Sequence, residues 1–317
     1  MGSVSGMVMH TEGTFQAILR TANEHTTGKR RNILLPGNEF FQLSGDKQTL
    51  RLCLTQDAVT RNMQENVAAF DSWILALKAW GCADQVVLRW QEPQDTANGH
   101  YQRFLYRVSR FRDLFSDWFV VDCKDLLHAS KLNHAKNLLL NMPMGIAKDV
   151  PHPSSLEAIL EKYLVDSGWL AKRFRLKKIG RQFPVGLFAD KVAKDKMIFT
   201  GGKSAVDLVG IDPENTLWVF ELKAKGNQPL GIVSELIFYT SMMRDLALGT
   251  FSCQTDEALQ FDGRLHPNEI VGIKTIRGCL LAPAFHPLLA NSKIVDLLNT
   301  ASNTGAIPVH YCSVALQ

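Results

Sequence analysis

The stretch SAVDLVGIDPENTLWVFELKAKGNQ, residues 204–228, decides the fold of the C-terminal half of this chain. Two apolar runs, AVDLVGI (205–211) and TLWVFELK (216–223), flank Asp212-Pro213-Glu214-Asn215, residues that favour a turn. The expected structure is an antiparallel hairpin. With Ile211 facing Leu217 across the turn, the residue numbers of each opposed pair sum to 428, which sets Asp207 opposite Glu221. Opposed β-carbons lie about 5 Å apart. Side chains alternate along a strand, so Lys223 shares the face of Glu221 one pleat further on. A turn of different length would flip Asp207 to the other face, so the turn carries the prediction.

The neighbours of these residues are apolar on both faces (Val206, Leu208, Val209, Trp218, Val219, Phe220, Leu222), as in a strand inside a covered sheet. Two carboxylates facing each other in such a place repel, and a divalent cation between them relieves the repulsion. Oxygen-only ligands suit Mg²⁺ or Mn²⁺, with waters completing the shell. Such an ion activates a water and stabilises charge growing on a phosphate during in-line displacement. Lys223 is placed to stabilise that charge or to orient the water. The competing reading is a structural salt bridge between Lys223 and the acids.

An acid on one strand and acid-x-Lys on the next (Asp207; Glu221-Leu222-Lys223) resembles the PD-(D/E)XK nuclease superfamily, with its restriction-endonuclease-like fold, over roughly residues 154–315. Val206 stands where the superfamily name has proline. The resemblance implies an αβββαβ core and hydrolysis of phosphodiester bonds in DNA, less readily RNA, in restriction, repair or defence against phage. It implies Asp207, Glu221 and Lys223 as catalytic residues, with Asp207 and Glu221 holding Mg²⁺ or Mn²⁺. An acid on the first core helix often joins the metal in such families, and Glu157 is the position carried over, with Glu161 behind it. RecB-like members place Gln-x-x-x-Tyr on the helix after the lysine strand. Here Glu235-Leu-Ile-Phe-Tyr239 takes that place, with Glu for Gln, and its spacing puts Glu235 and Tyr239 on one helical face. Cutting both strands of a duplex favours a homodimer, and a partner protein subunit is the other association expected. The alternative function is a nucleic-acid-binding subunit that keeps the fold without catalysis.

Outward from the hairpin, Ser154 or Ser155 caps a predicted helix through about Ser167, with Leu156, Ile159, Leu160, Tyr163 and Leu164 on its apolar face and Gly168 as its stop. Strands are expected around Phe183–Phe188, Thr275–Leu281 and Ile307–Val314, and helices from about Pro229 to Leu248 and near Pro287–Thr300. The order predicts an α/β layer fold, a mixed central sheet flanked by helices. Just ahead of the hairpin, KRFRLKKIGR (172–181) gathers Lys172, Arg173, Arg175, Lys177, Lys178 and Arg181 without an acid, a candidate phosphate-binding run whose other reading is a solvated face. Gly202-Lys203-Ser204 is no P-loop, because Met197 stands where the first glycine belongs and a strand follows.

Residues 141–155, NMPMGIAKDVPHPSS, carry three prolines and a glycine and mark the expected linker, with a boundary near 150. Before it, TLRLCL (49–54) and QVVLRW (85–90) read as strands around a helical stretch over residues 62–81, with Val67, Phe70, Ile74, Leu77 and Trp80 at helical spacing and Gly81 as its stop, so residues 1–150 are expected to form an α+β domain for target recognition or partner binding. Arg103, Arg107, Arg110 and Arg112 extend the basic surface or serve helix amphipathicity. The chain has 317 residues, 46% of them apolar and 21% charged, which fits a two-domain globular protein and excludes disordered and membrane-embedded classes. The net charge of +4 is too small to diagnose a nucleic-acid partner by itself. Six cysteines without a C-x-x-C pair argue against zinc ribbons and disulfide staples. The N-terminus lacks a basic start and apolar stretch, so the cytoplasm is the expected location.

Overall fold

The computed structural model describes residues 10–27, 33–141, 155–199, 204–224, 229–253, 265–289, 291–302 and 306–316. The chain forms two compact units: the first runs through Ser130 and takes in His286–Leu297, the second comprises Lys131–Phe285 and the residues from Leu298 onward. The protein is α/β, and among the described residues no helix is long and apolar enough to cross a membrane.

In the first unit, β1 (His10–Thr11), α1 (Glu12–Thr27), β2 (Phe41–Gly45), β3 (Thr49–Leu54), α2 (Gln56–Thr60), α3 (Phe70–Ala79), β4 (Gln85–Trp90), α4 (Gly99–Leu114) and β5 (Phe119–Val121) follow in order. The strands form one sheet in sequence order, β1-β2-β3-β4-β5, antiparallel at β1–β2 and β2–β3 and parallel at β3–β4 and β4–β5. Parallel neighbours need a crossover, and α3 and α4 supply it. Helix and strand are therefore more interleaved than the α+β expectation. Asp71 and Arg107 meet beneath the surface rather than on it: Arg107 donates from Nε to Asp71 Oδ2 (3.1 Å), from Nη2 to Oδ1 (2.7 Å) and from Nη1 to the Ala68 carbonyl (3.0 Å). Arg103 is also buried and donates to Asn62 Oδ1 (2.9 Å). The expected extension of a basic surface through Arg103 and Arg107 is thus corrected, because both guanidinium groups are used internally.

The second unit begins before the expected boundary at 150, because β6 (Leu138–Leu140) pairs with a strand of that unit. Residues 142–154, most of the expected linker, lie outside the described residues. Then come α5 (Leu156–Asp166), α6 (Trp169–Phe174), β7 (Lys178–Pro184), β8 (Leu187–Ala189), β9 (Met197–Phe199), β10 (Ala205–Ile211), β11 (Leu217–Leu222), α7 (Ile232–Ala247), β12 (Ser252–Cys253), β13 (Ile276–Ala282), α8 (Lys293–Ser302), of which only the part from Leu298 belongs to this unit, and β14 (Val309–Ala315). The main sheet runs β14-β13-β11-β10-β7, antiparallel from β7 through β11 and parallel from β11 to β14. A smaller sheet has the order β12-β6-β8-β9.

All six residues of the central strand β11 are buried. Trp218, Phe220 and Leu222 pack with Leu208 from β10 and with Leu164, Leu170 and Phe174 from α5 and α6. Helix α7 packs against β11 and β13. It approaches closely because Gly278 lacks a side chain: a Cβ there would meet Thr240 Cγ2 and the Tyr311 ring, both at 2.9 Å. Thr240 and Tyr311 then share a hydrogen bond of 2.8 Å, which fixes α7 over the sheet.

Ser155 caps α5 by accepting from the Ala158 amide (3.1 Å), and Gly168 follows at φ 70°. The apolar face expected on this helix is corrected. Leu156, Ile159 and Tyr163 are exposed, Leu164 is buried, and Glu161 is buried with it. The pairing of Glu161 with β7, given below, turns the helix this way.

Candidate functional site

Asp212 closes the hairpin. Its amide donates to the Thr216 carbonyl (3.2 Å), its Oδ1 accepts from the Thr216 amide (2.9 Å) and its Oδ2 accepts from the Trp218 indole (3.0 Å), while Asn215 takes the left-handed φ of 63° that the turn requires. The pairs that result are Ile211 with Leu217, Gly210 with Trp218, Val209 with Val219 and Leu208 with Phe220, the register read from the sequence. The next position outward brings Asp207 to Glu221. Asp207 Oδ2 there accepts from the Leu222 amide across the hairpin (3.3 Å). One residue past β11, the Lys223 amide donates to the Leu281 carbonyl (2.9 Å), so the ladder to β13 continues through the lysine.

The Lys223 ammonium lies between two buried carboxylates, donating to Glu221 Oε1 (2.5 Å) and to Glu235 Oε2 (3.3 Å). Glu235 comes from the first turn of α7 and is buried. Tyr239, one turn further on, is also buried, with its ring 5.5 Å from that of Phe238. Glu161 is buried on α5 and accepts from Arg181 Nε (2.8 Å) and from Gln182 Nε2 (2.7 Å). The same Gln182 amide lies 3.5 Å from Asp207 Oδ1. Glu157, four residues before Glu161, is exposed in the first turn of α5. The helix acid whose charge bears on Asp207 is Glu161, which corrects the choice of Glu157. The reason is the rotation of α5 described above.

Four carboxylates (Glu161, Asp207, Glu221, Glu235) against two cations (Arg181, Lys223) leave a formal surplus of two negative charges when all are ionised. The ionisation equilibria register this surplus. Burial, opposed in part by Lys223 and the Leu222 amide, pushes the Asp207 carboxyl up to about 7, with Glu161 and Glu235 adding to the rise. Burial, then Glu235 and Asp207, hold Glu221 well above the usual carboxylate range. Burial alone would lower the Lys223 ammonium, yet Glu221 and Glu235 together raise it.

Among the described residues no group of three or more His, Cys, Asp or Glu side chains stands in a metal-holding arrangement. The acids of this cluster are bridged by the lysine instead. One atom nevertheless fits a cation: Glu221 Oε2 is buried and has no hydrogen-bond partner among the described residues. A bare carboxylate oxygen in a low-dielectric place is costly unless a positive charge meets it. With the facing Asp207 carboxylate and a surplus equal to the charge of one divalent ion, the residues present fit Mg²⁺ or Mn²⁺.

The basic run is divided by the fold. Arg175 pairs with Glu214 (3.3 Å), Lys178 with Glu269 (2.7 Å) and Arg181 with Glu161 (2.8 Å), whereas Lys172, Arg173 and Lys177 are exposed on the end of α6 and the approach to β7. Acids distant in sequence thus engage three of the six basic side chains, and of these three Arg175 stays exposed. Sequence reasoning missed Gln182, an uncharged residue at the end of a basic run. Its backbone is left-handed, at φ 50°. No family model, curated protein or solved structure matches the chain.

Proposed function

We propose that this protein is a metal-dependent nuclease that hydrolyses phosphodiester bonds, with DNA the substrate ahead of RNA. The observation that carries the reading is the buried Oε2 of Glu221, which has no hydrogen-bond partner among the described residues, in a cluster whose negative surplus one divalent cation would neutralise. The order α5, β7, β10, β11, α7, β13, with an acid on β10 and acid-x-Lys at the end of β11, supports the PD-(D/E)XK-like reading. Asp207 and Glu221 would hold Mg²⁺ or Mn²⁺, which when bound supplies an activated water and charge stabilisation at the phosphate.

The rest falls to the chain. Lys223, tethered to Glu221 and Glu235 and anchored through its own amide, presents a fixed ammonium to the developing phosphate charge. Glu235 holds this lysine, the role we assign it in place of the glutamine of RecB-like members. Lys172, Arg173 and Lys177 offer open contacts for the nucleic-acid backbone. Residence in the cytoplasm, association as a homodimer or with a protein subunit, and work in restriction, repair or phage defence complete the proposal.

The test is cleavage of supercoiled, linear and single-stranded DNA and of RNA with Mg²⁺ or Mn²⁺, comparing wild type with Glu221→Ala and Lys223→Ala. Metal-dependent cleavage lost in both variants supports the enzyme and its site. A second reading, a non-catalytic nucleic-acid-binding module, is favoured by the lysine bridging and by the lack of a metal-holding group among the described residues. Nucleic-acid binding with no cleavage, and calorimetry with no Mn²⁺ uptake, would select it.

A further inference from the structure

We infer that Gln182 is a positioning residue for the metal-binding acids, and that its left-handed backbone is what brings its amide to them. This rests on the metal-dependent reading above. On either side of Gln182 the β7–β10 ladder is regular, Phe183 facing Val206 and Arg181 facing Leu208. In that register Gln182 faces Asp207, and no regular pairing occurs at this one step. The reason is the φ of 50°, which a residue with a β-carbon adopts only when its surroundings impose it. Neither a tight turn nor a helix end lies here; the residue is inside a strand.

The side chain shows what the distortion achieves. One amide nitrogen carries two hydrogens, and Nε2 is shared between Glu161 Oε2 (2.7 Å) and Asp207 Oδ1 (3.5 Å). A neutral donor thus links an acid on α5 to an acid on β10 without adding charge of its own. Arg181, the preceding residue, takes the other oxygen of Glu161 (2.8 Å), so the helix acid is fixed from both sides. Asp207 is held by Gln182 from β7 and by the Leu222 amide from β11, and its carboxylate is oriented between two neighbouring strands. Partners of ligand side chains fix ligand orientation, and their removal typically weakens metal binding by roughly 10–100-fold.

The experiment separates the amide from the backbone. Gln182→Gly keeps a residue at ease with positive φ and removes the amide; Gln182→Asn tolerates the same φ and keeps a shorter amide. Full-length wild type and both variants are titrated with Mn²⁺ by calorimetry, their thermal unfolding is recorded, and kcat and KM for DNA cleavage are measured. The expected result is that Gln182→Gly unfolds no earlier than wild type yet binds Mn²⁺ roughly tenfold more weakly. Its kcat falls with KM little changed, and Gln182→Asn recovers part of both losses. Wild-type Mn²⁺ affinity in Gln182→Gly would overturn this inference alone. A wild type that takes up no Mn²⁺ would overturn the metal reading and this role together.

Discussion

Each unit of the molecule buries charge, and the two burials differ in kind. In the first unit Arg107 and Asp71 are matched one to one, with two parallel hydrogen bonds and the spare guanidinium nitrogen satisfied by the Ala68 carbonyl. In the second, Lys223 serves two carboxylates, Asp207 faces one of them, Glu221, across the hairpin, and the buried Glu221 Oε2 has no hydrogen-bond partner among the described residues. A balanced pair holds a fold together. An overcharged cluster with an unmet acceptor costs stability to keep.

The comparison breaks most visibly at the balanced pair. Arg107→Ala should lose about 3–5 kcal/mol, because Asp71 is left buried without its partner, and urea unfolding measures the loss. The overcharged cluster should answer in the opposite sense. Glu221→Gln removes one of the repelling charges, so unfolding should come no earlier, while cleavage should fall by at least roughly 10–100-fold, since losing a metal ligand should cost no less than losing a ligand's partner. A large destabilisation by Glu221→Gln would make the two burials alike and remove the contrast.

A smaller effect lies in pH. Asp207 binds its proton more tightly folded than unfolded, with its carboxyl at about 7 against 3.8 for the unperturbed group. Its contribution to stability is therefore greatest at low pH and declines as pH rises between those values. Metal-free wild type should lose stability over that window, and Asp207→Asn should flatten the profile, which thermal unfolding at a series of pH values would record. The smallest effect belongs to the exposed pair Arg175–Glu214, whose loss in Arg175→Ala should cost under about 1 kcal/mol and vanish in high salt.

What the sequence revealed of all this follows the range of the interactions. The hairpin register was legible because its determinants are local: Asp212 and Asn215 close the turn that they name. The site pair Asp207 and Glu221 followed from that register. Glu235 came from the resemblance to RecB-like members, and its spacing with Tyr239 only set the two on one helical face. The orientation of α5 was not, because the contacts that bury Glu161 come from Arg181 and Gln182, twenty residues away and on another element. For the same reason the basic run read as one open surface, since Glu214 and Glu269 are brought to Arg175 and Lys178 only by the folded chain. Nothing in a sequence marks a strand residue as left-handed, so Gln182 emerged from the backbone alone.

The complete burial of β11 has a consequence for motion. Its amides bond to neighbours on both sides, and all its residues are buried. Hydrogen exchange at Val219 and Phe220 should therefore require opening of the whole unit, placing them among its slowest amides. Glu221 rides on this slowest-exchanging segment, so its carboxylate would be carried by the part of the unit that fluctuates least, and an incoming cation would meet a site already set.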